Sequence, residues 1–321
     1  MFSESDTDGG LDGYEAETLS LSPRLTTRLK MPHWISTRVR CVERQERGRL
    51  MIDLHTHTTA SHGRRTPAEA IQEAYRLGLD ALAITDHNTI DGLDEAREAL
   101  QGSRLTLVPG AEFSVDYKGW EIHMLGLFVD DQDARFRQEM DRVIDLWTDR
   151  LKAKCEKLQG LGMEVRYEEL EYSGRFPVVV SSIASVMVRK GYVKTGEEAF
   201  ERYLNEGLPA YVPSLVSVEE AGAIVHQAGG LYVVAHPNYG EPFGDIDEKV
   251  LSDLKERGAD GVEAFYRGMP KDVTERYISM ARRLDMVVTA GSDCHGDCMG
   301  VISHPDWVWL ELLHALRKRR G

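Results

Sequence analysis

Residues 53–63 read DLHTHTTASHG and follow an apolar pair, Met51-Ile52, that reads as the start of a β-strand. Side chains two apart on a strand share a face, so His55 and His57 can grip one ion from a strand end. Two later fragments repeat the arrangement of an apolar run followed by metal-binding side chains: ITDHNTIDG at 84–92 and GSDCHG at 291–296. Asp293 and His295 are again two apart and can reach a common site. Asp86, beside His87, reads better as a group that orients a ligand or caps its loop. With Glu112, His123 and His236, the fragments gather seven of the eleven histidines and two carboxylates. A carboxylate can bridge two ions and neutral imidazole cannot, which suits Glu112 to the bridging place. The lone histidines His33, His226, His304 and His314 read as ordinary hydrogen-bonded core or surface residues.

Outward from these fragments, strand-like and helix-like segments alternate. Thr66 and Pro67 open a helix that runs to Gly78, and strands follow at 81–85, 105–108 and 122–129, with a helix at 93–100. Pro109-Gly110 reads as a sharp turn that delivers Glu112. From about 131 to 213 the rhythm changes to long polar helices, at 135–158, 181–190 and 197–205, which reads as a helical insertion on the rim. Ser217 and Glu220 form the pattern of a capping box, and strands at 231–235, 261–265 and 286–289 alternate with helices at 247–257 and 271–284. Seven strands interleaved with helices predict a barrel or an open parallel sheet. The candidate ligands fall at the ends of several strands, as on the rim of a (β/α) barrel. An open sheet would concentrate its site at one switch point, and no glycine-rich phosphate loop follows the first strand.

The 321 residues carry a formal charge of −14, from 53 acidic against 39 basic side chains. Such a surface disfavours long duplex nucleic acid, whose binding rests on Lys and Arg, yet a local metal site can still hold a nucleotide or short oligonucleotide. The four cysteines show no CxxC pair and no disulfide-like spacing, so the expected compartment is the cytoplasm. No apolar run approaches the roughly 18 residues of a membrane span. Residues 1–49, acidic and glycine-rich at first and basic later, read as a poorly ordered tail, and 50–321 as one barrel domain. The oligomeric state is not readable.

The pieces IDLHTHTTAS, AITDHNTIDG, VPGAEFS, IHMLGLF, AGGLYVVAHP, GVEAFY and GSDCHG resemble the PHP (polymerase and histidinol phosphatase) family of metal-dependent phosphoesterases. The resemblance covers about 51–300 and is strongest to the branch of nucleoside 3′,5′-bisphosphate phosphatases and RNase AM-like enzymes. It implies a distorted (β/α)7 barrel holding two or three divalent ions (Mn, Fe, Zn or Mg). By position, His55, His57, Glu112 and Asp293 would hold the first ion, and Glu112, His123 and His236 the second. His62, His87 and His295 would hold the third. His62 stands where the branch usually has aspartate, and Val180-Ser181-Ser182 stands where it tends to carry Arg-Pro-His.

The expected reaction is hydrolysis of a phosphate monoester or diester of a nucleotide or short oligonucleotide, such as a 3′,5′-bisphosphonucleotide or an RNA 5′ end. The expected attacking group is hydroxide bridging the ions, with no protein nucleophile; Cys294 would face away from the site. Arg64 and Arg65 are the nearest candidates for binding substrate, with Arg175, Tyr239 and Arg267 further candidates from rim loops. Two alternatives stand beside this reading: an amidohydrolase-like C–N hydrolase, which often bridges its ions with a carbamylated lysine, and a non-catalytic PHP scaffold module.

Overall fold

Short apolar runs such as ALAI at 81–84 and LYVV at 231–234 are buried on both faces, as strands enclosed by helices must be. In the computed structural model, which describes residues 50–100, 102–170, 179–238, 245–300 and 302–320, these runs build one seven-stranded sheet in chain order. The strands are β1 (Ile52–Asp53), β2 (Ala81–Ile84), β3 (Thr106–Tyr117), β4 (Trp120–Leu127), β5 (Leu231–Val234), β6 (Gly261–Tyr266) and β7 (Val287–Gly291). β1, β2 and β3 are parallel, as are β5, β6 and β7, while β4 runs antiparallel to both neighbours. The first and last strands meet where Leu54 N–H donates to Ala290 O and His57 N–H to Cys294 O, both at 2.9 Å. The sheet thereby closes into a distorted (β/α)7 barrel. The expected tail, 1–49, lies outside the described residues.

Glu112 reaches the site differently from the expected turn at Pro109-Gly110. β3 continues through both residues to Tyr117 and pairs residue by residue with β4. Gly110 serves close approach instead: a Cβ there would lie 2.6 Å from Gly126 O on the facing strand. Glu112 therefore sits inside a 12-residue strand rather than at a strand end. Because β4 runs the other way, its first half, with His123, faces the same mouth that the other strands reach with their last residues.

Around the barrel, α1 (Pro67–Leu77) begins at a full capping box in which Thr66 and Glu69 satisfy each other's backbone N–H. α2 (Gly92–Ala99) follows β2. Next comes a helical block of α3 (Ala134–Gly160), α4 (Val180–Arg189) and α5 (Gly196–Ala199), the last continuing as a π-turn over Phe200–Leu204. The block has its own apolar cluster, in which Trp147, Leu151 and Leu158 of α3 meet Ile183 and Met187 of α4. The first half of α3, through Phe136, Met140 and Val143, belongs instead to the barrel core. α6 (Val218–Gln227) is capped by Ser217, which accepts the Glu220 N–H, but the reciprocal bond of a capping box is absent because the Glu220 carboxylate takes Arg142 at 2.7 Å. After α7 (Glu248–Glu256) and α8 (Lys271–Arg283) comes α9 (Trp307–Arg320), which sequence reading did not anticipate. Its Val308, Leu312 and Leu316, four apart, are buried in the barrel core. Among the described residues no helix is long and apolar enough to cross a membrane.

Candidate metal centre

The mouth of the barrel collects His55 and His57 just after β1, His123 of β4 and the histidines of the connecting loops around the buried carboxylate of Glu112. His55 Nε2 and His57 Nε2 lie 3.2 Å apart. They stand 3.2 and 3.1 Å from Glu112 Oε2 and 3.4 and 3.0 Å from Asp293 Oδ1. A tetrahedral ion with ligands at roughly 2.0–2.1 Å has ligand–ligand edges of about 3.3–3.4 Å, so these four groups are spaced as such a ligand set. The other carboxylate oxygen, Glu112 Oε1, lies 3.1 Å from His123 Nδ1 and 3.0 Å from His236 Nε2, which are 3.4 Å from each other. Each oxygen of Glu112 thus faces its own group of imidazoles.

A third group forms on the outer side. His62 Nε2 and His295 Nε2 are 3.2 Å apart, and the His62 ring lies parallel to that of His87 with centroids 4.8 Å apart. His87 also turns Nδ1 toward Glu112 Oε2 at 3.2 Å, and His57, His87 and His295 can offer ligand atoms within 4.8 Å of one another. All nine residues expected as ligands are brought together at one mouth. His226 and His304 are engaged elsewhere, the first with Asp260 at 2.9 Å and the second accepting from Ile52 N–H at 3.1 Å.

The chemistry of this donor set fits divalent cations. Glu112 and His55 are fully buried, yet Glu112 Oε2, His57 Nδ1 and His87 Nδ1 make no hydrogen bond. Buried polar atoms normally find partners, and orphaned atoms in such a cluster are what a bound cation would satisfy. In the metal-free protein, protons take part of that role. Burial pulls His57 down, but Asp293 and Glu112 outweigh it and hold the ring at about 9. Burial is likewise overcome at His123, which Glu112 and Glu121 raise to about 10. At Glu112 burial would raise the pKa, but the imidazoles of His87, His55 and His123 hold it well below the usual carboxylate range. Burial pushes His87 and His295 down, so these two rings keep a free lone pair at neutral pH.

Several residues beyond the expected ligands hold them in place; among them only Asp86 is given a positioning role by the sequence. Glu263 of β6, fully buried, stands 3.3 Å from His55 Nδ1 with both oxygens and accepts the His236 N–H at 2.8 Å. Such a carboxylate fixes the tautomer and orientation of a ligating histidine. Gly291 makes the contact possible, since a Cβ there would meet Glu263 Oε1 at 2.1 Å and His55 Cβ at 2.3 Å. Asp53 ties the GSDCHG loop to β1 by accepting from Ser292 N–H, Ser292 Oγ and Gly300 N–H. Asp86 accepts from Thr58 and Ser61 at 2.6–2.7 Å and so holds the loop that carries His62. Asp293 and His236 adopt positive φ, +50° and +26°, a strained backbone of the kind stored at functional sites. His295 Nδ1 is 2.9 Å from Asp293 O, which selects the tautomer whose Nε2 lone pair is free. The Cys294 thiol sits among apolar residues, 2.8 Å from the Cys298 sulfur, and both cysteines are free.

The mouth opens into a cavity of about 700 Å3, within the ~300–1,000 Å3 typical of small-molecule sites. One wall is the ligand cluster with Tyr266, which hydrogen-bonds Asp293 at 3.1 Å. The opposite wall comes from the helical block, with Trp147, Lys154, Ser181 and Phe200. Arg267 is exposed at the edge of this cavity. Arg64 and Arg65 are not among its lining: Arg64 lies over Gly296 and Arg65 pairs with Asp297 at 2.9 Å. Arg175 and Tyr239 lie outside the described residues.

Comparison with known proteins gives a consistent result. The family model described as PHP domain matches residues 53–216. A 5′-3′ exoribonuclease of Haemophilus influenzae is 32 % identical over 247 residues, 77 % of this chain and 90 % of the relative. A 3′,5′-nucleoside bisphosphate phosphatase of Chromobacterium violaceum is 28 % identical over 76 % of this chain and 87 % of the relative. A crystal structure from Bifidobacterium adolescentis, described as that of a metal-dependent phosphoesterase, superposes with a TM-score of 0.70 at 29 % identity, covering 85 % of this chain and 96 % of that one.

Proposed function

The chain belongs to the PHP domain family, and from that premise we propose that it is a metal-dependent phosphoesterase acting on a nucleotide or short oligonucleotide. The observation that carries the reading is Glu112: a fully buried carboxylate within 3.0–3.2 Å of five imidazoles, with Asp293 completing one of the groups. His55, His57, Glu112 and Asp293 would hold one ion, Glu112, His123 and His236 a second, and His62, His87 and His295 a third. A histidine-rich donor set suits Zn, Fe or Mn better than Mg, which prefers oxygen ligands. Divalent ions held there would supply Lewis acidity, both to make water a competent attacking group at neutral pH and to neutralise phosphoryl oxygens.

The protein's own contribution is to position and to shield. Glu263 locks His55, Tyr266 holds Asp293, and Asp53 and Asp86 anchor the loops of Asp293 and His62. The cavity has room for a small phosphorylated substrate beside the ligand cluster, and Arg267 stands at the edge to meet its charge. Glu112 occupies the bridging place that a carbamylated lysine takes in the amidohydrolase-like alternative. The free cysteines suit a reducing cytoplasm. A screen of the metal-loaded protein for phosphate or mononucleotide release, over nucleotides and 5′-phosphorylated oligoribonucleotides, tests the proposal. Turnover abolished by chelator and restored by added metal is expected; metal-loaded protein that cleaves no phosphate ester overturns it.

A further inference from the structure

The loop that carries Asp293 and His295 is built around a sulfur atom. Asp53 pins its two ends, accepting from Ser292 N–H and Gly300 N–H. Between those ends, Gly296 and Cys298 are held by the Cys294 side chain. Its S–H donates to Gly296 O at 3.2 Å, and its sulfur accepts the Cys298 N–H at 3.1 Å. The Cys298 sulfur lies 2.8 Å from the same atom. Cys294 is 2 % exposed, within the apolar cluster of α1 and α2, whereas Cys298 is half-buried and open to a small reagent.

Two sulfurs that only fill space would stand at van der Waals separation, beyond the roughly 3.5 Å of carbon atoms. These two are closer, and a movement of less than about 1 Å brings them to the roughly 2.05 Å of a disulfide. Both are free thiols, and neither is a ligand candidate or has a part in the proposed reaction. In a reducing compartment such pairs close transiently, as redox sensors. What the pair controls follows from its place: Asp293 precedes Cys294, and His295 lies between Cys294 and Gly296, with its Nε2 3.2 Å from His62 Nε2.

We propose that Cys294 and Cys298 form a peroxide-responsive dithiol whose closure to a disulfide loosens His295 and weakens the outer ligand group of His62, His87 and His295. The sulfur of Cys298, the one that peroxide reaches, attacks an oxygen of hydrogen peroxide. The O–O bond breaks, hydroxide leaves and takes the thiol proton as water, and Cys298 becomes a sulfenic acid. The Cys294 sulfur then attacks that of Cys298. The S–S bond forms, the S–O bond breaks, and a second water leaves with the Cys294 proton. The two thiols have lost two electrons and the peroxide is reduced to two waters. The closed pair has no S–H, so the bond from Cys294 to Gly296 O is lost next to His295. A thiol reductant reverses the step by exchange. The effect on metal rests on the metal-centre reading; the disulfide itself does not.

The test adds a few equivalents of hydrogen peroxide to the reduced, zinc-loaded full chain, zinc having no redox chemistry of its own. Both cysteines fall in the tryptic peptide 284–317. This peptide is expected to lose two hydrogens, to resist alkylation at both sulfurs and to recover with dithiothreitol. Competition with a chromophoric chelator should then show one zinc held roughly 10- to 100-fold less tightly, the range for disturbing a group that orients a ligand. Cys298→Ser should bind zinc as the reduced wild type does and keep that affinity through peroxide. Sulfurs that stay alkylatable, or that pass to sulfinic acid without linking, overturn the proposal. So does a disulfide that leaves zinc affinity unchanged, or a Cys298→Ser chain that loses zinc to peroxide as the wild type does. The wild-type map and affinity decide even if the variant misfolds. Reduced protein that takes up no zinc fails the metal-centre reading instead; there the linkage alone supports the dithiol and its absence overturns it.

Discussion

The two walls of the cavity hold their charged groups in opposite ways. On the barrel side each ligand candidate is held by several others, and Glu112 alone stands within 3.2 Å of five imidazoles. On the side of the helical block, Lys154 has one carbonyl and the face of one ring. An over-determined wall on rigid strands can fix reacting atoms to a few tenths of an ångström, as catalysis requires. A wall with so few bonds to its charges fixes them less tightly. The contrast sets a rigid, densely bonded wall against a sparsely bonded one.

The largest effect should come from removing a shared ligand. His57→Ala or Asp293→Ala should cut turnover on the order of 10³-fold or more, with far-UV circular dichroism showing a retained barrel; near-wild-type phosphate release would erase the contrast. On the other wall, Leu151→Ala opens the block's own core and should cost about 2–5 kcal/mol in denaturant melts. If metal content drops in parallel with stability there, the two walls are not separate in role. Glu263→Gln, one bond removed from the ligands, should lower metal affinity or activity by roughly 10- to 100-fold, measured by competition with a chromophoric chelator. An unchanged affinity would demote Glu263 to packing.

The effect that is smallest per step is graded with pH. In metal-free protein His57 and His123 keep protons up to about 9 and about 10, and an ion needs those lone pairs bare. The sign follows: apparent metal affinity should rise with pH, by up to about tenfold per unit for each displaced proton. It should flatten above about 10. Calorimetry in buffers of different ionisation enthalpy should register the released protons at pH 7; binding without proton release would mean the rings are already neutral.

Much of the barrel side was legible in the sequence because strand chemistry is local. HxH after an apolar run and SDCH after another place ligands by period-two geometry, DH after a third adds His87, and the four histidines so read are at the mouth. Glu263, within GVEAFY, has no local signal of its role, since its partner, His55, lies 208 residues away and no spacing rule links them. The direction of β4 was equally hidden. A strand's apolar pattern does not say which way it runs, and Gly110 looks like a turn until the facing Gly126 carbonyl is known. Lys154 reads as one more polar helical residue until α3 is placed; only then does its burial become visible. The helix α9, missed as well, has an apolar stripe diluted by Trp, His and Glu that tertiary packing alone resolves.

The 27 residues of α3, roughly 40 Å at 1.5 Å per residue, are rooted at one end in the barrel core and at the other in the core of the block. A continuous helix anchored twice behaves as a strut, so the block cannot swing aside as a lid without bending it. The width of the cavity between the barrel and the block is accordingly set by this helix.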